Sequence, residues 1–521
     1  MIAPVGRKQE GFYDTVRDIV QKALSLKNIS YAIREKPILS AVSFRCTVAE
    51  RLCIFGENGA GKSTLLKILC GQLEPDGGTI ERQGHVRFVY VPQEFDPTFK
   101  EKTVGEYVRE NAGDTLFSKA ATLIEQLGFA VGKYQEETCG SLSGGQQKIL
   151  ALGVAFAQNP DFLLLDEPEN HLDIVSRIEL LELLANFRNG VIFISHDRLI
   201  IDAVATKVGE LAQGMLHLSE GGYEEYLEMK TRRISGLQRE FDTESKRIRQ
   251  LSATIVILHQ KAFRGKEVAA YQRAKEELKQ LKDAHKEGRP EEMQTRIRLA
   301  QTDRSLHAGK LLCRIKDGAF RYEGSRTRLF SSVNLELRSG MKVVLLGRNG
   351  SGKSTFLKCL TDALPLEAGS VSWAPGVTFA YFDQHAEFDP EGNAITAVSE
   401  QLGCTESEAQ AALGAMKFDS ARMSTATKNL SGGERMRVRF AITFGKKADF
   451  ILLDEPTNHI DEVTWEILLD ACKASKSSML LVTHDYEFIK AFEPTLFWML
   501  HEGKIVARHK ELDDLLDELR T

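Results

Sequence analysis

The sequence predicts an α/β fold that is built twice, with a helical hairpin between the two copies. Three observations lead to this prediction. A glycine-rich loop occurs at residues 56–64 and again at 347–355. Around each loop, short β-rich runs alternate with amphipathic stretches, which is typical of a parallel sheet covered by helices. Between the copies, apolar residues follow a 3-4 heptad spacing that favours long helices.

The repeat divides the 521 residues into four parts. They are an N-terminal segment (1–23), a first α/β domain (24–222), a helical hairpin linker (223–310) and a second α/β domain (311–521). In the linker the heptad stripe runs from Ile234 to Leu258, and Phe263 to Lys266 predicts a break before a second helix. A strand is predicted at Thr295 to Leu299, where the chain enters the second domain.

Composition and charge exclude some classes of protein and favour others. Apolar runs stay far below the roughly 18 residues that a membrane span needs, and the charged N-terminus does not read as a secretory signal. The eight cysteines are scattered, so we expect reduced thiols in a cytoplasmic protein and no zinc site. Net charge is −5, yet residues 223–310 hold 20 Lys+Arg against 14 Asp+Glu. The linker is therefore the basic part of the chain.

Each glycine-rich loop follows an apolar strand and precedes a helix, which suits a phosphate cradle. Glycines let backbone N–H groups turn toward phosphate oxygens, and the helix N-terminus adds a favourable dipole. We expect Lys62 and Lys353 to bridge the β- and γ-phosphates of ATP, and Ser63 and Ser354 to ligate Mg²⁺. The loops consist of Gly56, Glu57, Asn58, Gly59, Ala60, Gly61, Lys62, Ser63 and Thr64, and of Gly347, Arg348, Asn349, Gly350, Ser351, Gly352, Lys353, Ser354 and Thr355.

Acidic pairs follow a buried apolar run in each copy. Asp166 and Asp454 end these strands, so their carboxylates are predicted Mg²⁺ partners. Glu167 and Glu455 come next and are predicted to polarise the water that attacks the γ-phosphate. For an acidic pair taken alone, a helix cap or a surface charge is the alternative.

Two further polar positions recur in register. Gln93 and Gln384 stand at the same interval after their loops, which suits contact with Mg²⁺ or the attacking water. His196 and His484 each follow an apolar strand and precede Asp, which suits a donor to the γ-phosphate. A polar loop glutamine and a structural histidine are the alternatives, and the repetition favours function.

A Leu-Ser-Gly-Gly sequence also occurs in each copy, upstream of the acidic pair. Its serines are predicted helix N-caps, and its glycines would let a phosphate approach the helix end closely. Taken alone, the cap interpretation is favoured. The residues are Ser143, Gly144, Gly145, Ser431, Gly432 and Gly433.

Two tyrosines stand at equal intervals before the loops and are candidates to stack on adenine. They are Tyr31 and Tyr322. The flanking strand pattern instead aligns Tyr31 with Phe320, so the second stacking residue stays open between Phe320 and Tyr322. Core packing is the alternative role.

In this order the motifs resemble those of the ATP-binding cassette ATPases, and the resemblance covers both α/β domains. It implies that the two copies dock head to tail within one chain, as a monomer with an internal sandwich. Ser143 and Gly145 would then serve the nucleotide on Lys353, and Ser431 and Gly433 the one on Lys62. The implied ligands are ATP and Mg²⁺, and the implied reaction is ATP hydrolysis.

Two cassettes joined by a basic hairpin resemble the ABC-F group of translation factors and ribosome-protection proteins. Residues 221–230 and the Thr-Asn-His sequence at 457–459 also fit this group. The resemblance implies a ribosome partner, rRNA and tRNA, with the hairpin reaching toward the peptidyl-transferase centre. Basic residues that suit an RNA backbone lie at or beside the predicted turn: Lys261, Arg264, Lys266, Arg273 and Lys275. A solvated, charged helix pair is the alternative.

The sequence departs from the group's pattern in its first cassette. Glu169 stands where Thr is usual. The Leu-Ser-Gly-Gly sequence, the signature of this family, continues as Gln146-Gln147 in the first cassette and as Glu434-Arg435 in the second. The two ATP sites therefore need not turn over equally. Two other functions stay open: a DNA-associated ATPase of the repair type, and the ATP-binding subunit of a multi-subunit transporter.

Overall fold

The computed structural model describes residues 22–520 except 35, 57–58, 264–269, 271, 280–308, 326, 383–387 and 459. Contacts divide the chain into two units, Met1–Leu218 with Ile297–Thr521, and Ser219–Arg296. Several predictions fall outside the described residues. They concern the N-terminal segment as far as residue 21, the strand at 295–299, and the side chains of Glu57, Asn58, Lys261, Arg264, Lys266, Gln384 and His459.

The first α/β domain alternates strands and helices. Its strands are β1 (Ala23–Ile33), β2 (Lys36–Thr47), β3 (Arg51–Phe55), β4 (Gly77–Gln83), β5 (Phe88–Val91), β6 (Phe162–Asp166), β7 (Gly190–Ile194), β8 (Lys207–Ala212) and β9 (Met215–Glu220). Its helices are α1 (Lys62–Leu69), α2 (Val104–Ala112), α3 (Phe117–Gln126), α4 (Val131–Tyr134), α5 (Gly144–Gln158), α6 (Ile174–Asn186) and α7 (Arg198–Val204).

The second α/β domain follows the long helix α8 (Tyr223–Phe263). Its strands are β10 (Leu311–Phe320), β11 (Phe330–Arg338), β12 (Lys342–Gly347), β13 (Ala368–Trp373), β14 (Phe379–Phe382), β15 (Phe450–Asp454), β16 (Ser478–Val482), β17 (Leu496–His501) and β18 (Lys504–Arg508). Its helices are α9 (Lys353–Leu360), α10 (Ala394–Leu402), α11 (Glu406–Ala415), α12 (Gly432–Gly445), α13 (Glu462–Ala474), α14 (Tyr486–Phe492) and α15 (Leu512–Arg520).

Both α/β domains have the same sheet topology, which confirms the predicted duplicated α/β fold. The large sheet runs β5-β6-β7-β3-β8-β9 in the first domain and β14-β15-β16-β12-β17-β18 in the second. Strands β5, β6, β7, β3 and β8 pair in parallel, and their counterparts do the same. Every residue of β6 and β7 is buried, as expected for a parallel sheet covered on both faces. The smaller sheets, β2-β1-β4 and β11-β10-β13, are antiparallel.

Apolar packing also joins the two α/β domains to each other. Ile174 and Val175, at the start of α6 in the first domain, are buried in a hydrophobic cluster of the second domain. That cluster includes Leu515 and Leu519 of α15. Because buried aliphatic side chains drive association, this contact holds the two domains together in one unit.

The second unit contains α8, which covers the predicted heptad stripe. Residues 272–279 are also helical, and Ala274 is buried. Arg247 of α8 donates to the Glu277 carboxylate at 3.0 Å. A pair between residues on either side of the predicted break is what an antiparallel hairpin requires. Among the helices in the described part of the chain, none is long and apolar enough to cross a lipid bilayer.

Candidate nucleotide-binding sites

The two phosphate loops connect β3 to α1 and β12 to α9. Gly61 and Gly352 precede the helices with φ of 102° and 109°, a left-handed conformation that glycine adopts without strain. The Lys62 ammonium donates to the Gly56 carbonyl at 2.6 Å, and that of Lys353 to the Gly347 carbonyl at 2.9 Å. Burial lowers the pKa of both lysines. Each loop therefore folds around its own buried cation.

The strand-end aspartates lie beside the loops. Asp454 accepts hydrogen bonds from the Ser354 hydroxyl at 3.2 Å and from the Tyr381 hydroxyl at 3.3 Å. Asp166 accepts from the Tyr90 hydroxyl at 3.1 Å, and its buried Oδ1 has no hydrogen-bond partner among the described residues. The structure thus brings together the predicted metal ligands Ser354 and Asp454.

The glutamates that follow have an unusual backbone. Glu167 and Glu455 have φ of 44° and 48°, a left-handed conformation that costs energy for a side chain with a Cβ and that often marks functional sites. Glu167 accepts from the Gln93 amide at 2.6 Å and from the Asn170 amide. Burial raises the pKa of each glutamate to about 7, with Glu169 and Asp166 adding to the rise at Glu167. A pKa near neutrality suits a general base.

His484 is buried and His196 is half-buried, and both imidazoles are neutral. The His484 Nδ1 accepts the Ile174 N–H at 3.2 Å, so the proton of this ring is on Nε2, which lies 3.2 Å from the Glu455 Oε1. Burial lowers the pKa of His196 to about 3 and holds that of His484 well below its ordinary value. The His196 Nε2 has no hydrogen-bond partner among the described residues. A neutral imidazole carries one N–H donor, which the predicted contact with a phosphate oxygen requires.

The first domain meets the phosphate loop of the second. Asn349 donates its backbone N–H to the Asp173 carboxylate at 3.0 Å and its side-chain amide to the His171 carbonyl at 2.7 Å. A Cβ on Gly145 would lie 3.4 Å from the same Asn349 amide. Asp173 also opposes the fall in the pKa of Lys353 that burial causes. The Leu-Ser-Gly-Gly segment of one domain therefore lies next to the loop of the other.

Comparison with known proteins agrees with this geometry. The ABC transporter family matches residues 39–170 and 330–458. The chain is 31% identical to the ATP-binding protein Uup of Haemophilus influenzae, over 92% of this chain and 79% of that protein. It is 29% identical to ABC transporter F family member 2 of Arabidopsis thaliana, over 90% of this chain and 75% of the relative. This chain is an ATP-binding cassette ATPase of the ABC-F group.

The fold of this ABC-F ATPase also has a solved counterpart. It is similar to the archaeal ribosome recycling factor aABCE1, in its complex with the stalk protein aP1, with a TM-score of 0.64 at 21% identity. The match covers 94% of this chain and 92% of that chain. Membership of the family gives the activity: the protein binds ATP and hydrolyses it.

At the first nucleotide site of this ABC-F ATPase, both cassettes line a cavity of about 400 Å³. The lining residues from the first cassette include Ile33, Ile38, Gly61 to Thr64, Gln93, Glu167, Glu169 and His196. Those from the second cassette are Thr457, Asn458, Ile460, Trp465 and Asp485. Ser431, Gly432 and Gly433 are not among the lining residues. The second cassette therefore reaches the site of Lys62 through the segment after β15, the first turn of α13 and the residue before α14.

The two tyrosines predicted to stack on adenine have different surroundings. Tyr31 packs against the core of the first cassette, whereas Ile33, with half its surface exposed, lines the cavity. Core packing is therefore observed for Tyr31, and its stacking on adenine stays a prediction. Phe320 is also buried in the core, and Tyr322 is exposed with its hydroxyl 2.7 Å from the Thr355 hydroxyl. Tyr322 is thus the better placed of the two second-site candidates.

The signature serines of this ABC-F ATPase confirm the predicted helix caps. Ser143 caps α5 and Ser431 caps α12, each in a capping box with the residue three positions on. Sequence reasoning missed Arg177, whose guanidinium donates to the His484 carbonyl at 3.3 Å and lies 3.6 Å from Asp197. It belongs to a helix with no motif of its own, and its contacts with His484 and Asp197 are distant in sequence, so no local signal marks it.

Proposed function

We propose that this ATPase acts on the ribosome, in translation regulation or in protecting the ribosome from an antibiotic. Two ATP molecules close the cassettes head to tail, and the basic linker hairpin then reaches toward tRNA near the peptidyl-transferase centre. Hydrolysis opens the cassettes and releases the ribosome. The observation that carries the proposal is the basic helical linker between two cassettes that already contact each other.

The proposed Mg²⁺ ligands are Ser63, Gln93 and Asp166 in the first site, and Ser354, Gln384 and Asp454 in the second. Their hydroxyl, amide and carboxylate oxygens are the donors that Mg²⁺ prefers. Two observations support this assignment: Ser354 contacts Asp454, and the buried Oδ1 of Asp166 has no hydrogen-bond partner in the part of the chain that the structure describes. Bound Mg²⁺ would neutralise charge on the phosphates.

The chain's own groups account for hydrolysis. Glu167 and Glu455 each accept a proton from a water that attacks the γ-phosphate, and their pKa values near 7 suit this exchange. His196 and His484 donate N–H bonds to the γ-phosphate oxygens, while Lys62 and Lys353 offset the negative charge. Ser143 and Gly145 contact the nucleotide on Lys353, and Ser431 and Gly433 the one on Lys62. Tyr322 stacks on the second adenine.

The linker supplies the RNA-binding chemistry. Arg273 and Lys275 are exposed on the helical stretch after the predicted turn, on either side of the buried Ala274. Exposed cations on a helix contact phosphates without reading sequence, and such contacts weaken as salt rises. The solved counterpart aABCE1 is named as a ribosome recycling factor, which is consistent with a ribosome partner for this fold.

The test combines Glu167→Gln with Glu455→Gln, which should keep ATP bound in the closed state. We expect this variant to co-sediment with ribosomes in ATP, to stay in the supernatant in ADP, and to inhibit translation in a cell-free system. Adding Arg273→Glu and Lys275→Glu should weaken ribosome binding at moderate salt while ATP binding stays unchanged.

The same assays separate the alternatives. If the double variant stays in the supernatant although the wild-type protein hydrolyses ATP, the ribosome proposal fails. ATP-dependent retention on duplex DNA without ribosome binding would favour the DNA-associated function. Co-purification with a membrane protein complex would favour the transporter subunit.

A further inference from the structure

The first cassette contains a buried lysine that the second cassette lacks. Lys148 lies on α5, five residues after the capping Ser143, and it is only 4% exposed. Its ammonium donates to three backbone carbonyls: that of Pro92 at 2.8 Å, that of Asp166 at 2.9 Å and that of Gln93 at 3.3 Å. Three acceptors use all three N–H groups of a charged lysine.

These three carbonyls belong to the segments that hold the catalytic glutamate. The Gln93 side chain donates to the Glu167 carboxylate at 2.6 Å, and Asp166 directly precedes Glu167 in the chain. Lys148 therefore ties the signature helix α5 to both neighbours of Glu167. The ammonium does not itself reach the glutamate, so its effect on the reaction is indirect.

An anion near a buried cation offsets part of its desolvation cost. The first cassette supplies such an anion in Glu169, at the position where Thr is usual. Glu169 is 4% exposed, and its Oε1 accepts from the Ser195 hydroxyl at 2.7 Å and from the His196 N–H at 3.2 Å. Burial lowers the pKa of Lys148 to about 8, and Glu169 is the strongest of the charges that oppose this fall. Two buried charges of opposite sign offset part of each other's desolvation cost.

The second cassette has uncharged residues at both positions. Met436, five residues after the capping Ser431, is buried in the apolar core. Thr457, two residues after Glu455, bonds through its hydroxyl to that of Thr483, just as Glu169 bonds to Ser195. The charges of the pair are thus both present in the first cassette and both absent from the second.

We propose that Lys148 and Glu169 are matched positioning residues of the first nucleotide site: Lys148 holds the Gln93 segment against Glu167 through its backbone contacts, and Glu169 offsets the buried charge of Lys148. The first site thus depends on two buried side chains of opposite charge, whereas the second site reaches its arrangement with an apolar and a hydroxyl side chain. The phosphate loop is not part of this linkage. Loss of one partner therefore changes the catalytic rate more than the affinity for ATP.

The test is a cycle of Lys148→Met, Glu169→Thr and the double variant, which installs the residues of the second cassette. Single-turnover hydrolysis is measured in a Glu455→Gln background, so that the first site alone carries the reaction. We expect each single change to lower the rate about tenfold with less than about twofold change in the ATP concentration for half-saturation. The double variant should recover to within about threefold of the parent.

The matched control is Met436→Leu, an uncharged exchange at the equivalent place, which should leave the first site unchanged. A double variant as slow as the product of the two singles overturns the proposal, because the residues then act independently. A wild-type rate for Lys148→Met, or a loss of affinity alone, also overturns it. If Lys148→Met does not fold, the double variant must still fold and turn over, and its failure to do so counts equally against the pair.

Discussion

The two nucleotide sites are alike in the groups that lie beside the phosphate loops and differ in the side chains that support them. Both have a loop lysine, a strand-end aspartate and a glutamate in a left-handed conformation. The supporting residues of the first cassette and their sequence counterparts in the second cassette are Ile33 and Tyr322, Lys148 and Met436, Glu169 and Thr457, and Arg177 and Trp465. The chemistry of ATP determines which residue types can contact it. The supporting residues need only match one another in charge, hydrogen bonding and size.

The largest expected effect tests what the sites share. Glu167→Gln and Glu455→Gln should each lower hydrolysis at their own site by about 100-fold or more, because the amide cannot accept the proton of the attacking water. Single-turnover assays of the two variants measure this, with Glu125→Gln on the exposed surface of α3 as the control. If the variant that combines both substitutions keeps more than about a tenth of the wild-type rate, these glutamates are not the bases of the two sites.

A smaller effect, on the free energy of unfolding, compares Arg177 with its counterpart Trp465. Arg177→Met leaves the buried Asp197 without its cation, and burial already raises the pKa of that carboxyl to about 7. Trp465→Phe removes a single hydrogen bond to Asp485 of 2.7 Å. We expect stability losses of about 3 kcal/mol for Arg177→Met and about 1 kcal/mol for Trp465→Phe.

Urea unfolding of the full chain measures both losses, with the first transition compared between variants. Equal losses would mean that Arg177 adds no more to the interface than the single hydrogen bond of Trp465.

The base end of the sites provides the next comparison. Tyr322→Ala should weaken ATP binding at the second site about tenfold, because an aromatic ring stacks on a base with about 1–3 kcal/mol. Ile33→Ala removes only aliphatic contact and should weaken the first site about threefold or less. Titration with a fluorescent ATP analogue checks both values, and Tyr322→Phe serves as the control that keeps the ring. A larger loss of ATP affinity in Ile33→Ala than in Tyr322→Ala would contradict the stacking role of Tyr322.

The smallest effect concerns the signature helices. Glu434 closes the cap of α12 and pairs with Arg422, which holds the pKa of Glu434 at about 2, whereas Gln146 has the same place in α5. A lowered pKa stabilises the fold above the unfolded value of 4.5, and the gain is lost as pH falls toward 2. Glu434→Gln should therefore cost about 1 kcal/mol at neutral pH and progressively less below about pH 4.5. Thermal unfolding across this range checks the trend, and a constant difference would contradict it.

Local patterns were enough to predict the duplicated α/β fold, both phosphate loops and the capping serines. Each of these depends on neighbouring residues, such as the strand before Lys62 or the glutamine three positions after Ser143. The base-stacking position was harder, because the chain from Phe320 to its strand partner Phe330 is two residues longer than the chain from Tyr31 to its partner Leu39. An equal count back from the loops therefore reached a core tyrosine in one cassette and an exposed one in the other.

The supports of the sites could not be predicted for a different reason. Lys148 bonds to carbonyls 55 and 56 residues earlier in the chain, and Arg177 to one 307 residues later. A lysine within a helix reads as a surface residue unless the fold that buries it is known. Contacts of this length are determined by how the two cassettes and their layers pack, which no local pattern encodes.

The most direct test of the head-to-tail assembly determines which cassette's Leu-Ser-Gly-Gly signature contacts which nucleotide. Ser143→Arg and Ser431→Arg, each in the Glu167→Gln and Glu455→Gln background, are labelled with photoreactive azido-ATP, and the labelled peptides are identified by mass spectrometry. Because Gly145 lies beside Asn349, Ser143→Arg should remove label from the second cassette and keep it in the first. Ser431→Arg should do the opposite. Loss of label from the cassette that carries the substitution would contradict the head-to-tail assembly of the sites.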